Sequence, residues 1–123
     1  MNIKEFMLNH ADEYDYLLEN LVRGQGVRLA HVFNRRSGTP KGGLTIAYLP
    51  LRPDMKNCRN YQVAAVYCSK DDVFSKKIGN LMALRAFDEG RYTNYNLGTV
   101  SADHAGAHLK YVFGIGISDG LME

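Results

Sequence analysis

Residues 60–91 read NYQVAAVYCSKDDVFSKKIGNLMALRAFDEGR, and the way this stretch divides decides the fold. Its first part, Val63-Ala64-Ala65-Val66-Tyr67-Cys68, is a short apolar run carrying valines toward both ends, the pattern of a buried strand. A polar joint, Ser69-Lys70-Asp71-Asp72, follows, and the remainder predicts a helix of about four turns. Ser69 is the expected N-cap, Asp71 and Asp72 suit the positive end of the helix dipole, and Gly90 fits the C′ position where a left-handed residue ends a helix. Phe74, Ile78, Leu81 and Arg85 recur at helical spacing, so the expected core line ends in a cation. A buried unpaired charge is strongly unfavourable. Arg85 must therefore meet a carboxylate, a backbone carbonyl, an anionic ligand or water, or snorkel from the edge of the core. Lys76 and Asn80 fall on the opposite side of this wheel, with Lys77 between them.

Upstream, residues 2–23 form the other helix candidate. Asn2 followed by Glu5 resembles a capping box, and Ile3, Met7, Tyr14, Leu18 and Leu21 recur at helical spacing. Phe6, Leu17 and Val22 widen that stripe, and Gly24 and Gly26 are expected to end the helix. So broad an apolar face must pack on the domain or on another copy of the chain. Val27–Asn34 and Leu44–Leu49 read as strands separated by a Gly- and cation-rich turn, Arg35 to Gly43. Pro50 and Pro53 close the second strand, and a basic loop, Arg52–Asn60, leads into the central segment. Arg91–Asn96 has the look of an exposed strand, and Leu109–Ile117 alternates as a last strand. Antiparallel pairing of the strands at 27–34, 44–49 and 61–69 is the economical topology. The whole predicts a single α+β domain over residues 1–123: an antiparallel sheet of about five strands, with an N-terminal helix and a central helix packed on it.

With 123 residues, 46% hydrophobic and 23% charged, the chain has the composition of one soluble domain with one core. A net charge of +2 argues against a large nonspecific grip on nucleic acid. No apolar run approaches the ~20 residues of a membrane span. Cys58 and Cys68, with no signal peptide ahead of them, read as free thiols in a reducing cytoplasm. The two cysteines and four scattered histidines have no zinc spacing, so no metal site is expected.

Three stretches carry chemistry. The Arg35–Gly43 turn combines cations with glycines that permit an anion-binding nest of backbone N–H groups, though no lysine-serine or lysine-threonine pair follows to make a Walker loop. It is equally the composition of a solvated hairpin. Arg91-Tyr92-Thr93-Asn94-Tyr95-Asn96 mixes aromatics with amides, the groups that grip bases by stacking and hydrogen bonding. Ser101, Asp103, His104 and His108 are triad-type groups, but proximity in sequence is not convergence, and loop histidines are the expectation.

The run Cys68-Ser69-Lys70-Asp71-Asp72-Val73-Phe74-Ser75-Lys76-Lys77-Ile78-Gly79, continuing to Ala83-Leu84-Arg85-Ala86, resembles a pattern in small bacteriophage proteins, and the Gly42-Gly43-Leu44-Thr45-Ile46-Ala47-Tyr48 strand fits the same set. Within that set the chain is similar to the first family of phage anti-Thoeris proteins, over the part from Lys41 to Ala86. The resemblance implies an oligomeric sponge that sequesters cyclic ADP-ribose-type signals made by TIR enzymes without cleaving them; similar sponges take cyclic oligonucleotides. It also implies a ligand held by arginines, a stacking aromatic and an asparagine, in the host cytoplasm, with no catalytic residues and no cofactor. Cations for a pyrophosphate, aromatics for a base and amides for ribose are available in Arg28, Arg35, Arg36, Lys41, Phe74, Asn80, Arg85, Tyr92 and Asn94. The competing expectations are a protein-binding inhibitor of a host defence enzyme, an RNA or single-strand binder using Tyr92 and Tyr95, and a hydrolase built on Asp103 and His104.

Overall fold

A computed structural model describes residues 3–33, 41–51, 60–73, 75–98 and 104–113. The chain is α+β. Helices α1 (Ile3–Asn9) and α2 (Ala11–Leu17) lead into a π-helical segment, Leu18–Arg23. Strands β1 (Arg28–Phe33), β2 (Lys41–Pro50) and β3 (Asn60–Val73) follow, then α3 (Lys76–Asp88) and β4 (Thr93–Asn96). Residues 104–113 form a further helix, α4. The four strands make one antiparallel sheet in the order β1-β2-β3-β4.

Helices cover both faces of this sheet, and the period of two along β2 shows how. Leu44, Ile46 and Tyr48 belong to one core cluster with Tyr61, Val63, Ala105 and Leu109; Ala47 belongs to the other with Ala64, Leu17, Leu21, Leu81, Leu84 and Phe87. Burial on two sides explains why these strands read as nearly continuous apolar runs.

The central stretch divides later than its polar joint predicts. Ser69-Lys70-Asp71-Asp72 does not open the helix. Gly43 pairs with Cys68 and Lys41 with Val73, so these four residues oppose the single residue Gly42, and they occupy a bulge in a ladder that then resumes. The N-cap is Ser75, with extended backbone and an Oγ that accepts from the Ile78 N–H at 3.3 Å. Phe74, expected inside the helix, precedes it and lies outside the described residues. The C-terminus is as expected. Gly90 sits at φ 79°, its N–H donates to the Phe87 carbonyl at 3.1 Å and the Arg91 N–H to that of Ala86 at 2.8 Å, a Schellman cap.

The core face of α3 also differs from the expected line. Leu81, Ala83, Leu84, Ala86 and Phe87 are buried, so Asn80 falls within the packed arc, not on the solvent side, and Ile78 and Arg85 lie at its margin. Small residues at 79, 83 and 86 let α3 lie close to β2 and β3. A Cβ on Gly79 would overlap the Thr45 hydroxyl.

Two further expectations are corrected. The N-terminal helix breaks at His10, whose ring stacks on Phe6 at 4.2 Å and whose Nδ1 bonds the Phe6 carbonyl at 2.8 Å; helical turns then pass Gly24 and run to residue 25. The strand expected at Leu109–Ile117 is helical through residue 113, and 114–117 lie outside the described residues. Ala105, Leu109 and Phe113 recur every four residues and pack in the second cluster, a helical period that outweighs the apparent alternation. His104 and His108 are therefore exposed helical residues, not loop residues. Cys58 is outside the described residues, and Cys68 is half-buried and in no disulfide.

Candidate binding site

The Schellman turn after α3 builds the first candidate site. By reversing the chain at Gly90 it lays Tyr92 against Phe87, ring centroids 5.0 Å apart and planes at 29°. Tyr92 remains 37% exposed, so its ring has a covered side and an open one. Around it is a cleft of about 220 Å³ lined by Leu21, Gln25, Gln62, Phe87, Asp88, Gly90 and Tyr92. Asn94 is exposed on β4 directly opposite Gln62 on β3. An aromatic platform ringed by amides and one carboxylate is suited to a heteroaromatic ring: the π-face stacks and the amides meet the edge. Arg91 beside it is paired with Glu89 at 3.0 Å.

The second cationic place is the start of α3, about 20 Å away along a 13-residue helix. Lys76 and Lys77 are exposed there, and the Lys76 ammonium lies 5.3 Å from the centre of the Phe33 ring. Phe33 ends β1 and Lys41 begins β2; the residues between them, Arg35 and Arg36 included, lie outside the described residues.

Asn80 and Arg85 are engaged inside the protein. The neutral His31 ring donates from Nε2 to Asn80 Oδ1 at 2.6 Å, and Asn80 Nδ2 donates to the Tyr14 hydroxyl at 3.0 Å, a chain that ties β1 to α3 to α2. Arg85 donates from Nε and from one terminal nitrogen to the two oxygens of Glu13, at 2.7 and 2.6 Å. Of the meetings open to Arg85, a carboxylate is the one found, in the bidentate geometry that fixes orientation as well as charge. The candidates among the described residues thus do not gather in one place in the chain; Arg35, Arg36 and Phe74 lie outside those residues. Tyr92 and Asn94 share one end of the sheet with Arg28, whose partner Tyr48 continues the row to Val63 and Thr93. Arg28 is on the far edge, about 14 Å across three strand spacings, and hydrogen-bonds Tyr48. Lys41 is at the opposite end of β2, about 23 Å from Tyr48. Asn80 and Arg85 fasten α2 onto α3.

Gln25 and Gln62 were not legible as site residues, because nothing in their spacing marks them. Glu13 was legible in principle, as the carboxylate beside the apolar stripe of the first helix that Arg85 required.

The two fastenings set a pH response. Burial of His31 pushes its pKa below the ordinary 6.5, against its bond to Asn80 and with the help of Lys76 and Lys110. The bond from Arg85 holds the Glu13 carboxyl below its ordinary 4.5. Below pH 6.5 the unfolded chain takes up the His31 proton before the folded chain does, so stability falls on acidification; below 4.5 Glu13 adds a loss of the same sign as pH drops toward its folded pKa. Melting temperature should therefore decline as pH falls from 7 to 5, and His31→Gln should flatten that part of the profile.

Among the described residues no group of three His, Cys, Asp or Glu side chains is placed to hold a metal ion, and no helix is long and apolar enough to cross a membrane. No protein-family model, curated protein or solved structure matches the chain.

Proposed function

We propose that the chain is a non-catalytic binding protein that sequesters a small phosphorylated nucleotide signal of the cyclic ADP-ribose or cyclic nucleotide class, as a phage anti-defence protein in the host cytoplasm. The observation that carries this reading is the half-open Tyr92 ring, backed by Phe87 and bordered by Gln25, Gln62, Asp88 and Asn94. It offers a purine a stacking surface and hydrogen-bonding groups of both kinds. The phosphates call for cations, and of those expected Lys41 begins β2 at the far end of the sheet from Tyr92. A site using both ends therefore draws on two copies of the chain. Binding by stacking and charge needs no acid–base pair.

The expected result for Tyr92→Ala is a loss of ~1–3 kcal/mol in affinity for cyclic ADP-ribose by calorimetry, about fivefold to more than a hundredfold in Kd. Its melting temperature should change little, since a partly exposed aromatic pair is worth only ~0.5–1.5 kcal/mol. Wild-type affinity in the folded variant would remove Tyr92 from the site.

A further inference from the structure

The outer side of the N-terminal helices changes chemical character along its length. Lys4, Leu8, Asp12, Asp15 and Glu19 are all exposed and recur at helical spacing across the His10 turn. The basic end is a groove of about 580 Å³ lined by Ile3, Lys4, Met7, Leu8 and Lys77. Leu8 is 71% exposed, the most exposed large apolar side chain among the described residues, and Ile3 is 38% exposed beside it. The acidic end is α2, where Asp12 and Asp15 are exposed together with Tyr16, which follows Asp15 and is 59% exposed.

From this we propose that the surface is a two-fold interface between copies of this chain, with the α1 groove of each copy receiving the outer face of α2 from the other. Charge complementarity selects the arrangement. Antiparallel docking sets Lys4 and Lys77 of one copy against Asp12 and Asp15 of its partner, and repeats the contact by symmetry. Parallel docking would set lysine against lysine and aspartate against aspartate. Leu8, Ile3 and Met7 supply the apolar centre, and Tyr16 supplies an aromatic for the facing groove. An acidic, aromatic-bearing helix is what an apolar trough rimmed by two ammonium groups accepts, and α2 supplies one on every copy. This interface gives a physical form to the two-copy site of the ligand reading but stands without it: a ligand-free dimer, or a monomer that binds nucleotide, separates the two claims.

The test is charge reversal followed by mixing. Wild-type protein in light scattering should have twice the 13.8 kDa chain mass. Lys4→Glu with Lys77→Glu makes both grooves acidic, and Asp12→Lys with Asp15→Lys makes both α2 faces basic; each protein alone should be monomeric. Mixed, they should form a heterodimer, because each groove then meets an α2 face of opposite charge. Leu8→Asp should yield a folded monomer with the far-ultraviolet dichroism of the wild type, since the side chain is exposed within the chain, and its melting temperature should no longer depend on protein concentration. A monomeric wild type would overturn the proposal and leave the groove to some other partner. So would charge-reversed proteins that still self-associate, or a mixture that remains monomeric.

Discussion

Gly79→Ala should destabilise this protein by ~1–3 kcal/mol, the cost of forcing an extra methyl into a packed core. Helix propensity alone predicts the opposite. Gly79 is an interior residue of α3, where alanine is better by about 1 kcal/mol. The contact decides the sign. The new Cβ would overlap the Thr45 hydroxyl, and Thr45 is fully buried in the middle of β2, paired with His31 on one side and Val66 on the other. Thr45 Oγ1 is also without a hydrogen-bond partner among the described residues. Thr45→Ala therefore removes a buried polar atom that nothing there satisfies, and it clears the space the new methyl needs. The Gly79→Ala/Thr45→Ala double variant should accordingly recover most of the loss, giving a strong non-additive coupling in denaturant titrations. Additive losses, or a stabilised single variant, would mean that α3 does not approach the sheet at this point.

Leu84→Ala should cost more, ~2–5 kcal/mol. Leu84 is fully buried in the cluster that joins α2, the π-helical segment, α3 and the sheet, so a cavity there is walled by several elements. Tyr111→Ala, on the exposed side of α4, should stay within ~0.5 kcal/mol and serves as its control. Comparable midpoints for the two variants in urea would contradict the assigned core.

How much of this could be read in advance depended on which signals were local. The three long strands and their antiparallel order follow from apolar runs bounded by glycine and proline, and Gly90 marks the end of α3 because only the left-handed turn there needs it. Ser69 and Ser75 are equally good caps in isolation. What separates them is a ladder bond between Val73 and Lys41, a residue more than thirty positions away, and no local pattern reports that. Asn80 lies opposite the line Phe74, Ile78, Leu81 and Arg85, but the packed arc is centred on Leu84 and Phe87 instead, and it places Asn80 against His31 and Tyr14; the choice between the two arcs is made by the sheet and α2, which no local pattern reports. Residues 109–113 alternate and also repeat every four, and only the uncovered second face of the sheet chooses the helix. At the site, the aromatic and amide character of 91–96 was legible, but the pairing of Tyr92 with Phe87, Gln25 and Gln62 is a product of the turn at Gly90.

Sequestration is tested most directly by what the protein gives back. Cyclic ADP-ribose is incubated with the protein, the unbound fraction is removed, the complex is denatured by heat, and the released compound is separated chromatographically. The account predicts recovery of the unaltered nucleotide, and much less of it from Tyr92→Ala. A hydrolysed product would show an enzyme, and an empty protein would contradict nucleotide binding at the Tyr92 cleft.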